Sequence, residues 1–224
     1  MSKTNQIPVY KDENTVLKSN LATMIPAELL NVFTSDAAQL GVTYSNPLKV
    51  AVGDKASLFS LTNAINKTVS LEELLKNGPV VITFYRGNWC PYCNLILNAY
   101  QRILPQIKEL GANLIAISPQ NPDSSLSMKE KQELQFEVLS DKGNEAAKHY
   151  TTIIKNSIEA IDSASKLGVD FYAHYDDQSR DIPIPAVFII NKEGIITFAK
   201  SEGGDYSLRI EPKEILDALK TLSA

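Results

Sequence analysis

Residues 79–93 read PVVITFYRGNWCPYC, and this stretch decides the fold. Pro79 to Tyr85 is a short, almost wholly apolar run rich in β-branched residues, the pattern of a central strand buried on both faces. Arg86-Gly87-Asn88 is turn-forming sequence. Proline is favoured at a first helical position, so Pro91 marks a helix start. Leu95, Ile96, Leu97, Tyr100, Ile103 and Leu104 carry that helix to Leu110, with Gly111 as its stop and a kink expected at Pro105. The strand–turn–helix unit sets Cys90 at a helix N-terminus and at the carboxyl end of a strand, the end where open α/β sheets place functional sites.

Cys90 and Cys93 are the chain's only cysteines. A thiolate is the reactive form of cysteine, and both a helix N-terminus and a Cys-x-x-Cys setting lower the thiol pKa from about 8.5. Cys90 is expected to have both, with unpaired backbone N–H groups and the helix dipole favouring its anion and Arg86 adding positive charge. Cys93 lies three residues on, on the same helical face, with its Cβ about 5 to 6 Å away. The pair therefore offers an attacking thiol and a resolving thiol, which a redox cycle needs. A zinc site lacks its other half, because His149 and His174 are far off and ill-spaced. A structural disulfide over three residues closes too small a loop to stabilise much.

Working outward, residues 14 to 40 repeat apolar side chains at helical spacing, with Pro26 expected to split them into two helices and Gly41 to stop the second. Tyr44-Ser45-Asn46-Pro47 reads as a linker, which divides the chain into a helical extension over 1–46 and a domain over 47–224. Val69 to Leu75 suggests a short helix. Asn113 to Ile117 is a second buried strand, Asp123 to Leu134 a polar helix, Phe136 to Leu139 a third strand, and 143–168 mostly helix. Val169 to Ile182 is aromatic and acidic without periodicity; Phe171-Tyr172-Ala173-His174-Tyr175 either borders a substrate groove or packs beneath a loop, with packing as the base case. Ala186 to Ile190 and Ile195 to Ala199 form a hairpin across Asn191-Lys192-Glu193-Gly194, and Glu211 to Leu222 is a closing helix. Such alternation implies an α/β sandwich with a mixed sheet.

The formal net charge of -4, without a basic stripe, gives nucleic-acid binding little support. No stretch approaches the roughly 18 to 20 apolar residues that span a bilayer, and the polar N-terminus has no signal-peptide core, so a cytoplasmic protein is the default expectation.

The stretch at 79–93 resembles the alkyl hydroperoxide reductase / thiol-specific antioxidant family, in particular its peroxiredoxin-like branch with a Trp-Cys-Pro-Tyr-Cys centre. Val52-Gly53-Asp54-Lys55, Leu58-Phe59-Ser60-Leu61, Ala116-Ile117-Ser118-Pro119-Gln120 and Ile184-Pro185-Ala186-Val187-Phe188-Ile189-Ile190 extend the resemblance over about residues 50–221. It implies a thioredoxin-like fold, a central mixed β-sheet flanked by helices, here with an N-terminal helical extension. It also implies thiol-based reduction of hydroperoxides or disulfides. Two departures from the peroxidase pattern stand out. The family's Thr-x-x-Cys signature falls on Cys90 and Cys93, and its peroxide-activating arginine falls near Pro185. Thioredoxins match better at Trp89, Cys90 and Cys93, and Pro185 resembles their cis-proline. Their buried acid, six residues before the first cysteine, is Phe84 here, so proton transfer must use solvent or another group.

The resulting expectation is an antioxidant oxidoreductase in which Cys90 attacks and Cys93 resolves, supported by Arg86, Trp89, Pro91, Tyr92 and Pro185. Trp89 is given a packing or docking role, and Tyr92 fills the position that tunes redox potential in the family. The disulfide is returned to dithiol by a thioredoxin- or glutathione-type reductant. The runner-up is a thioredoxin-dependent peroxidase with Cys93 as the peroxidatic residue, and the third reading is a redox-sensing module without turnover. No metal and no cofactor are expected. The N-terminal helices are a lid, a homodimer contact or extra core, with packing of an amphipathic face as the base case.

Overall fold

The structure is a computed structural model and describes residues 6–223. Two helices open the chain, α1 (Tyr10–Met24) and α2 (Ala27–Thr43), broken at Ile25-Pro26 because proline cannot supply the amide the ladder needs. The second helix runs past Gly41, which was expected to stop it. Gly41 stays helical where α2 passes close to the backbone of Asp205.

After them come β1 (Ser60–Asn63), β2 (Thr68–Ser70), α3 (Leu71–Lys76), β3 (Val80–Phe84), α4 (Pro91–Glu109), β4 (Asn113–Ser118), α5 (Pro122–Lys131) and β5 (Glu137–Ser140). The chain continues with β6 (Ile153–Lys155), α6 (Ile158–Lys166), β7 (Asp181–Pro183), β8 (Ala186–Ile190), β9 (Ile196–Lys200) and α7 (Pro212–Ser223). Seven strands form one sheet in the order β2-β1-β5-β4-β3-β8-β9. β3, β4 and β5 run parallel, while β8 pairs antiparallel with β3, so the sheet is mixed as expected.

β3 is buried on both faces. Its side chains alternate as a strand requires. Val81 joins the core under α4 and α7, and Ile82 and Phe84 join the core on the opposite face with Leu71, Tyr150 and Phe188. Each such fully buried apolar side chain contributes about 1.5–3 kcal/mol. α1 packs beside α4, and α2 beside α6. Pro105 lies within α4, which continues through it to Glu109.

The expected helix over 143–168 is corrected. Only α6 is α-helical there; single 3-10 turns at Lys142–Asn144 and Ala147–His149 precede the strand β6. The buried Asp141 carboxylate accepts hydrogen bonds from the amides of Ala146 and Ala147, which fixes the second turn. β-branched Ile153 and Ile154 then pair with β7. The short strands β1 and β2 were also not anticipated. No helix among the described residues is long and apolar enough to cross a membrane.

Candidate active site

The turn after β3 is held from three sides. Asn88 accepts from Gln120 Nε2 and donates its own amide to Gln120 Oε1, both at 2.8 Å, which ties the turn to the end of β4. Asn94 Nδ2 reaches back to the Asn88 carbonyl at 2.9 Å. Trp89 Nε1 donates to the Tyr175 hydroxyl at 2.7 Å, and that hydroxyl donates to the Arg86 carbonyl at 3.0 Å. Gly87 is required here, since a Cβ at that position would stand 2.3 Å from Trp89 Nε1. The aromatics Phe171 and Tyr175, whose segment has no periodicity, pack with Trp89 in a third core cluster, as the packing expectation had it.

Cys90 is the N-cap of α4 and Pro91 its first residue, as the sequence indicates. Both cysteines are free thiols, and both are buried. Cys90 lines an apolar cavity, together with Trp89, Pro91 and Tyr92; Cys93 does not reach it.

One functional side chain was missed. Arg209, buried in the loop before α7, donates from Nη2 to the Cys93 sulfur at 3.1 Å. Its Nη1 is fixed by the carbonyls of Tyr206 and Leu208, each at 2.6 Å. No motif marks this residue; a lone arginine between Leu208 and Ile210 carries no sequence signal of proximity to Cys93.

Arg209 reverses the expected polarity of the pair. Burial raises the Cys93 thiol pKa, but the hydrogen bond from Cys90, the Arg209 charge and the Arg86 backbone together outweigh it, and the Cys93 pKa falls well below the ordinary value. Burial pushes Cys90 well up instead, and its hydrogen bond to Cys93 and the charge there push in the same direction. Arg86 and Arg209 oppose this without overcoming it. The helix N-terminus that was expected to favour the Cys90 anion is outweighed by desolvation and by the neighbouring thiolate.

Arg86 is close to the pair, as expected. It is only 3% exposed and donates from Nη2 to Asn156 Oδ1 at 2.8 Å. Pro185 immediately precedes β8, whose Ala186 pairs with Phe84, and is thus at the same end of the sheet as the cysteines. Its resemblance to a cis-proline is corrected: no peptide bond among the described residues is cis. The Pro185 carbonyl instead accepts from Ser201 Oγ at 2.6 Å in the trans-bonded chain. His149 is exposed, and His174 Nδ1 lies 3.1 Å from Ser124 Oγ. No cluster of three or more His, Cys, Asp or Glu side chains among the described residues is set to hold a metal ion.

This arrangement, a strand-to-helix cysteine pair in a mixed sheet, meets an independent finding: the AhpC/TSA family profile matches residues 52–199. The chain belongs to the AhpC/TSA family. Peroxiredoxin Q, chloroplastic, from Populus jackii is 33% identical over 102 residues, which cover 46% of this chain and 47% of that one. The chain thus aligns with about half the length of the peroxiredoxin Q relatives it matches. Thiol-disulfide oxidoreductase ResA from Bacillus cereus is 30% identical over 125 residues, 55% of this chain and 71% of that one. The solved structure of a peroxiredoxin-like protein from Aquifex aeolicus superposes with a TM-score of 0.62 at 18% identity, covering 80% of this chain and 91% of that one. The fold is therefore the thioredoxin-like fold of AhpC/TSA proteins, with α1 and α2 lying outside the matched family segment.

Proposed function

We propose that this AhpC/TSA protein is a thiol-based antioxidant reductase that reduces hydroperoxides through a Cys90–Cys93 dithiol/disulfide cycle. The observation that carries the reading is the Arg209–Cys93 contact, which sets a guanidinium on the sulfur beside the one that lines the cavity. Cys90 is the sulfur a substrate meets, and the Cys93 thiolate is the base that the missing acid at Phe84 would otherwise have supplied.

The steps balance as follows. The Cys90 sulfur attacks the terminal oxygen of ROOH as its proton passes to Cys93. The O–O bond breaks, and RO⁻ takes that proton from Cys93 and leaves as the alcohol. Cys90 is then a sulfenic acid. The restored Cys93 thiolate attacks the sulfenic sulfur, the S–O bond breaks, hydroxide leaves, and the Cys90–Cys93 disulfide forms. A thioredoxin- or glutathione-type thiol reductant returns the pair to its starting state by exchange. The names of the peroxiredoxin Q relatives support the hydroperoxide; that of the ResA relative supports a disulfide substrate attacked by the same sulfur.

A second reading makes Cys93 the peroxidatic sulfur, and the same guanidinium contact favours it, because a charged donor beside a thiolate suits the residue that attacks. Single variants decide. With hydroperoxide and dithiothreitol, Cys90→Ser is expected to lose consumption and Cys93→Ser to retain slow consumption through a sulfenic acid that dithiothreitol reduces. Rapid consumption by Cys90→Ser together with its loss in Cys93→Ser would assign the attack to Cys93.

A further inference from the structure

The cavity over Cys90 has a volume of about 270 Å³ and an almost wholly carbon lining. Leu21 and Ile25 at the end of α1, with Leu30 and Phe33 of α2, form one wall. Ala160, Ile161 and Ala164 of α6 form the facing wall. The N-terminal helices lie outside the segment matched to the family.

A cation is part of the lining. The Arg86 guanidinium carbon stands 3.8 Å from the Tyr206 ring centroid and 4.9 Å from that of Trp89. Nη2 is bonded to the neutral Asn156 amide, while the buried Nε has no hydrogen-bond partner. Among the described residues no carboxylate pairs with Arg86 within 4 Å; Asp36 and Asp205 act on the Tyr206 and Tyr92 phenols instead. Arg209 is bonded to the Cys93 sulfur instead. Arg86 is therefore buried with aromatic faces and a neutral amide as its neighbours, and such faces recover only about 0.5–2 kcal/mol. A buried charge without a counter-charge is costly, and an anion entering the cavity would relieve it.

We infer that the cavity binds a carboxylate borne on a long apolar chain, with the carboxylate on Arg86 and the chain between the N-terminal helices and α6. The charge without a partner selects the head group, and the carbon lining selects the tail. The binding stands apart from the thiol chemistry. Its consequence for substrate choice, a hydroperoxide carried on such a chain and delivered to Cys90, rests on the reading proposed above.

Dodecanoate, which cannot be reduced, tests the binding. It is titrated below its micellar concentration into the reduced full chain, with Trp89 fluorescence and the rate of Cys90 alkylation by iodoacetamide as readouts. Dodecanoate is expected to give a saturable fluorescence change and to slow alkylation at least tenfold. Acetate should do neither, and 1-dodecanol should bind at least tenfold more weakly. Arg86→Gln is expected to reduce dodecanoate to the alcohol's affinity. Ala164→Phe fills the cavity from a half-buried position on α6 and should abolish both signals with an unchanged circular dichroism spectrum. The inference is overturned by the absence of a saturable dodecanoate effect, by equal binding of the alcohol to the wild type, or by undiminished binding to Ala164→Phe. Dodecanoate binding by a protein that consumes no hydroperoxide would overturn the peroxidase reading and leave this one standing.

Discussion

Arg209 Nη2 lies 3.1 Å from Cys93 Sγ, 116 residues away in sequence, and both side chains are buried. The contact helps to lower the Cys93 pKa, while burial and the neighbouring sulfur raise that of Cys90, which lines the cavity. The arginine of the peroxidase pattern is replaced near Pro185, as the sequence shows, and the guanidinium on Cys93 comes from the loop before α7.

Arg209→Met should move the Cys93 titration upward. A group whose folded pKa is depressed contributes stability that is complete above its unfolded pKa and is lost as pH falls through the folded pKa. For Cys93 that window lies below the ordinary thiol range of about 8.5. Thiolate absorbance at 240 nm in the wild type should therefore persist at neutral pH and vanish only on acidification. In Arg209→Met it should already be lost at neutral pH, with the rate of hydroperoxide reduction down roughly 100-fold. Unchanged absorbance at neutral pH in the variant would contradict this.

The N-terminal helices and the Arg209 loop are expected to loosen together. The amides of Tyr10 and Lys11 donate to the Glu211 carboxylate at 2.8 and 2.9 Å, and the Tyr10 hydroxyl and Asn14 amide both reach the Ser207 carbonyl. An acid at a helix N-terminus satisfies free amides and complements the dipole. Glu211→Ala should cost about 1 kcal/mol in urea denaturation, with faster amide exchange in α1.

Close packing of α2 against the 203–209 loop predicts a steric effect. A Cβ at Gly204 would lie 2.2 Å from the Leu40 carbonyl oxygen, so one backbone must shift. Gly204→Ala should destabilise the protein by about 1–3 kcal/mol, seen as a lower denaturation midpoint.

Much of the fold was legible because its signals are local. The β-branched run of β3, the proline at the start of α4 and the glycine turn between β8 and β9 each fix an element within a few residues. Residues 143–168 misled because Asp141 caps turns five and six residues onward, and β6 is specified by its pairing with β7 rather than by its own period. In the site, the residues contiguous with the cysteines could be read directly. Arg209 could not, because only the tertiary fold brings it to Cys93. The polarity of the pair failed for the same reason: helix position is visible in sequence, while burial and a distant guanidinium are not.

Tyr175 links Trp89 to the Arg86 backbone through one hydroxyl. Tyr175→Phe removes both bonds, and an expected loss of about 1–3 kcal/mol in thermal unfolding should accompany a change in Trp89 emission.

Trp89 is the only tryptophan, next to Cys90, and it makes the central claim directly measurable. Reduced protein is mixed with hydroperoxide in a stopped-flow fluorimeter. The expected result is a fast change, first order in hydroperoxide, that survives more slowly in Cys93→Ser and is absent in Cys90→Ser. A silent wild-type trace, or an undiminished fast phase in Cys90→Ser, would contradict the assignment of Cys90 as the sulfur that meets the substrate.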